Sequence, residues 1–134
     1  MNEAGGYYPQ RFSTGQYQME YLFRIHPYLE CDQELCHWNL MLANEHLPYR
    51  QIAIYIHDPD ELIVELFTHP QLRTQTEGEI WVITGGSPKD ELIEVEMLLL
   101  PQSANIIEGF SREVSNVYQR TITAQESEGS SLLF

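Results

Sequence analysis

The sequence predicts an α+β fold: an antiparallel β-meander of five or six strands with a C-terminal helix packed on one face. Three observations predict it. Apolar and polar residues alternate over Tyr17–Ile25, over 51–67 and again over Ile93–Leu99, the period of half-buried strands. The links between these runs are short, which favours antiparallel neighbours, because parallel strands need long crossovers. After Pro101 the spacing changes: Ile107, Phe110, Val114, Val117 and Tyr118 recur at threes and fours, as on one helix face.

The elements follow in order. Residues 1–16 read as an N-terminal arm, punctuated by Gly5-Gly6, Pro9 and Gly15. A single α+β domain spans 17–122. Its first strand carries Tyr17, Met19, Tyr21, Phe23 and Ile25 on one side and ends at His26-Pro27, since proline cannot donate to a ladder. Residues 30–46 fit a helical face through Leu35, Trp38, Leu42 and His46, or a strand from about Leu35 to Ala43; the strand is preferred. The clearest local signal is 51–68, where Ile52, Ile54 and Ile56 alternate before Asp58-Pro59-Asp60-Glu61, and Leu62–Phe67 follows. Asp first and Pro second suit a type I turn, so this reads as a β-hairpin.

Glu79–Thr84 is a short buried strand closed by Gly85-Gly86-Ser87-Pro88. Ser87-Pro88 with Asp90 resembles a helix N-terminus, yet Ile93, Val95, Met97 and Leu99 alternate with Glu94 and Glu96, and a strand is favoured. Gly109 inside the final helix costs about 1 kcal/mol against alanine and hints at close packing. An acidic C-terminal tail, 123–134, ends in Leu132-Leu133-Phe134, and no internal repeat is apparent.

Charge narrows the functional classes. Twenty acidic residues face seven basic ones, a formal net charge of -13, and Lys89 is the single lysine. Such a field repels nucleic acid and anionic membranes and attracts basic surfaces. The arginines are dispersed, so direct nucleic-acid binding is not expected. The longest apolar run, Met97–Leu100, is far too short to span a bilayer, and residues 1–9 show no secretory signal. The chain therefore reads as cytoplasmic, without membrane insertion. Cys31 and Cys36 are spaced Cys-x4-Cys rather than Cys-x-x-Cys and read as ordinary thiols in a reducing compartment.

Candidate sites are few. His57, Asp58 and Asp60 crowd one turn, where a ligand or hard cation could bind, although the spacing does not match a calcium loop. His26, Cys31, Cys36 and His37 hold soft ligands without the paired knuckle of a zinc site. Ser87 lacks a nucleophile elbow. No metal or cofactor is expected. Glu61 and Glu65, with Glu94 and Glu96 on one side of a strand, make an acidic face for a partner; Phe134 supplies an apolar tip for capture.

Two readings result. The first is a non-catalytic acidic interaction protein (adaptor, inhibitor or assembly factor) that binds a basic protein surface. The alternative is a small-molecule- or metal-binding α+β domain with a cleft between sheet and helix. Homodimerisation is compatible with both, because a meander leaves edge strands to cover.

Overall fold

The computed structural model describes residues 13–131. Eight strands and two helices follow one another as β1 (Tyr28–Cys31), β2 (Cys36–Ala43), β3 (Tyr49–His57), β4 (Ile63–His69), β5 (Arg73–Glu77), β6 (Ile80–Ser87), β7 (Ile93–Leu99), α1 (Ser103–Ile106), β8 (Phe110–Glu113) and α2 (Val117–Ser131). They form a five-stranded sheet, ordered β4-β7-β2-β1-β8, and a three-stranded sheet, ordered β3-β6-β5. The fold is mostly β with a C-terminal helix, broadly α+β.

Both sheets contribute to one core. Val95, Met97 and Leu99 of β7 cluster with Leu29 and Cys36, and with Ile83 of the smaller sheet. Ile54, Ile56, Trp38, Leu40 and Leu66 pack around them. Strand geometry explains this set, since successive side chains take opposite faces. β7, paired with β2 on one side and β4 on the other, turns its odd-numbered residues inward. Glu94 and Glu96 therefore point to the outer face of the five-stranded sheet.

A plain meander is not what connects these strands. β3 and β4, expected to pair as a hairpin, lie in different sheets. The Asp58 turn carries the chain across instead, because its buried carboxylate captures the backbone N–H groups of both Leu62 and Ile63, each at 2.9 Å. The turn after β6 makes the same crossing into β7. Asp60-Glu61-Leu62-Ile63 and Asp90-Glu91-Leu92-Ile93 stand at matching places in the two crossings, a short repetition that a reading for whole repeats passes over. Since β3 pairs antiparallel with β6, and β4 with β7, the two crossing units are related by a rough two-fold.

Three further expectations are corrected. Residues 16–27 run without bend, turn or strand pairing, so the alternating Tyr17–Ile25 segment is no strand of either sheet. The helix begins only at Val117, within the expected helical face, and continues to Ser131 through residues expected to be tail. Phe110–Glu113, expected to be helical, is a strand running parallel to β1. Backbone pairing decides it: Phe110 N–H donates to Pro27 O at 2.8 Å and Val114 N–H to Cys31 O at 2.9 Å. Gly109 permits this approach, since a Cβ there would stand 2.3 Å from the Pro27 carbonyl oxygen.

Candidate functional site

Where β1 turns back into β2, one short loop organises a polar cleft. Cys31 and Cys36 face each other in the ladder and are joined by a disulfide, correcting the expectation of two free thiols. Between them, Asp32 Oδ1 accepts the N–H groups of Glu34 at 2.7 Å and Leu35 at 2.8 Å. Its Oδ2 reaches another element and accepts Val117 N–H at 2.9 Å, at the start of α2. The Leu35 bond, then the Val117 bond, holds the Asp32 carboxyl below its usual pKa.

From that anchor α2 lies over the outer face of the five-stranded sheet. Val117 and Thr121 are buried beneath it, and the Thr121 hydroxyl donates to Val117 O at 2.9 Å. The space between helix and sheet is an open cleft of about 200 Å³, lined by Glu30, His37, Glu96, Arg120 and the α2 side chains above them. His37 Nε2 meets Glu96 Oε1 at 2.6 Å, and the other Glu96 oxygen accepts the Gln125 amide from α2. Glu30 is ion-paired to Arg112, which lowers its pKa and raises that of the guanidinium. Arg112 also lies 5.9 Å over the Tyr28 ring.

Chemically this is a set of fasteners. Both oxygens of Glu96 are occupied, the Thr121 hydroxyl is turned into its own helix, and the two sulfurs are bonded to each other. Among the described residues, no group of three or more His, Cys, Asp or Glu comes together to hold a metal ion.

The residues singled out in the sequence are scattered. His57 ends β3 and is exposed, Asp60 is exposed in the crossing turn, and Asp58 is buried with its carboxylate on Leu62 and Ile63. Glu61 sits beside them with φ 51°. Glu65 lies opposite Leu98, on the same outer face as Glu94 and Glu96. Glu94 accepts the Asn39 amide at 3.1 Å. Phe134 lies outside the described residues. The sequence reading missed Asp32, Glu30 and Gln125, and His37 entered it only through the zinc set. The spacing of Asp32 to Leu35, an Asx turn closed by flanking cysteines, was the available signal.

A family described as the N-terminal domain of a predicted membrane protein (DUF2207) matches residues 2–99, most of the chain. The chain belongs to this family. No curated protein and no solved structure matches it. Membership in DUF2207 overturns the reading of a cytoplasmic, non-catalytic interaction protein, and with it the expected basic partner surface and the absence of membrane insertion. Composition describes the surface of this domain and is blind to how a DUF2207 protein meets its membrane. Among the described residues no helix is long and apolar enough to cross one.

Proposed function

We propose that this chain is an extramembrane sandwich domain of a DUF2207 membrane protein, displayed on the oxidising side of the bilayer. The Cys31–Cys36 disulfide carries this reading. Disulfides persist in secreted and surface compartments and are rare where glutathione and thioredoxin act. The bond also has structural work there: it fixes the loop whose Asp32 anchors α2. Family membership supplies the membrane, and a net charge of -13 keeps most of the surface off anionic headgroups.

In this role Glu96, with His37 and Gln125, clamps α2 to the sheet, and Asp58 sets one crossing between sheets. The domain then serves as a rigid body held at the membrane surface. Protease shaving of intact cells tests the reading. Cleavage of the domain by external protease supports it; protection that ends only on lysis refutes it.

A further inference from the structure

Resting on the membrane reading above, we propose that the segment Tyr17–Ile25 is a lipid-contact stripe, seated in the headgroup region of the bilayer. The Tyr21 and Phe23 rings stack, with centroids 6.1 Å apart and planes within 9°. The Tyr21 hydroxyl points back to the Met19 sulfur at 3.9 Å. Three successive odd-numbered side chains therefore share one side of the segment, and alternation continues the row to Tyr17 and Ile25. Met19, Tyr21, Phe23 and Ile25 are 51–56% exposed, whereas Leu22, on the other side, is 97% exposed. Tyrosine and phenylalanine rings that hold to one another along one side of the segment and keep half their surface exposed suit the membrane interface, where amphipathic rings sit at headgroup level.

Charge selects the occupant. Residues 16–27 contain Glu20 and Arg24 as their charged groups and are formally neutral with histidine uncharged, inside a chain of net -13. Two copies brought together here repel each other through the rest of their surfaces, while a neutral lipid surface does not. The segment has no strand pairing, so its backbone needs water, which the headgroup region supplies and the hydrocarbon core does not. It therefore lies along the surface and does not cross it. A domain already held at a membrane meets lipid at high effective concentration, so weak intrinsic affinity suffices.

The test is co-sedimentation of the 134-residue chain with neutral phosphatidylcholine vesicles and with vesicles containing phosphatidylglycerol. Wild type binds the neutral vesicles, and binds the anionic ones less at low salt, a gap that closes as salt screens the charge. Tyr21→Asp combined with Phe23→Asp lowers partitioning roughly tenfold or more, while Leu22→Asp leaves it within about twofold, and thermal melting shows all variants folded. No binding of wild type to neutral vesicles, an equal loss in Leu22→Asp, or concentration-dependent self-association in place of lipid binding overturns the proposal. Protease shaving is independent of these side chains, so the membrane reading can survive failure of the stripe.

Discussion

Asp32 in the β1–β2 loop accepts the backbone N–H of Val117, 85 residues later, at 2.9 Å. One carboxylate thus fixes the loop with one oxygen and the first turn of α2 with the other. Asp32→Ala removes both, and an interaction of this capping type is worth about 1 kcal/mol. The unfolding free energy should fall by that amount, with faster hydrogen exchange at Val117 than at buried β7 amides. The carboxyl pKa is lowered by the Leu35 bond and then the Val117 bond. Its contribution is therefore present above the unfolded value and fades as pH falls through the folded one. Unchanged exchange at Val117 would detach the loop from the helix.

Asp58 makes the corresponding bond at the crossing between sheets. It is buried, and both oxygens are used, on Leu62 and Ile63. Asp58→Ala leaves two backbone donors without partners, a loss of roughly 2–4 kcal/mol at about 1–2 kcal/mol each. Asp58→Asn retains an acceptor for one donor and should lose about half as much. Chemical denaturation of the two variants checks the order; equal, small losses would remove Asp58 from the crossing.

His46 predicts a pH effect. Its Nδ1 faces Leu47 O and its Nε2 faces Glu91 O, both at 2.7 Å, and its ring stacks on Tyr49. Only the imidazolium donates to both carbonyls, and the Leu47 contact, followed by the Glu91 contact, raises its pKa. The stabilisation is fully present below the unfolded value near 6.5 and lost as pH rises through the folded pKa. Wild type and His46→Gln should therefore differ more in melting temperature at pH 5.5 than at pH 8.5. A gap independent of pH would contradict the doubly donating ring.

Removing the disulfide with Cys31→Ala and Cys36→Ala reopens a loop of a few residues, worth about 2 kcal/mol in chain entropy. Because the same loop holds Asp32, hydrogen exchange at the start of α2 should rise as well. Lower stability without that rise would make the bond a staple for β1 and β2 alone.

Local chemistry was legible where it stayed local. The alternation over Ile52–Ile56 and Ile93–Leu99 gave true strands, β3 and β7. The turn at Asp58 was visible as a turn, but its destination was not. Whether a strand folds back on its neighbour or enters the opposite sheet depends on the captured N–H groups of Leu62 and Ile63, which no periodicity reports. Helical spacing after Pro101 lost to a parallel ladder with β1, a long-range pairing absent from any window around Phe110. The candidate site suffered most. Glu96 was found as one of two glutamates on a strand face, yet His37, Gln125 and Asp32 come to it or to α2 from three different elements. The cysteines were misread because the compartment was inferred from the first residues and the short apolar runs, and because Cys-x4-Cys spacing does not report that Cys31 and Cys36 face each other in the β1–β2 ladder.

The most direct measurement is alkylation of Cys31 and Cys36 in intact cells, with a membrane-impermeant maleimide and an impermeant reductant, read by mass spectrometry. An extramembrane domain on the oxidising side predicts no labelling until the external reductant is added, and labelling of the half-buried Cys31 afterwards, while Cys36 stays shielded in the core. Cysteines that label without reduction, or that become accessible only on lysis, would contradict it.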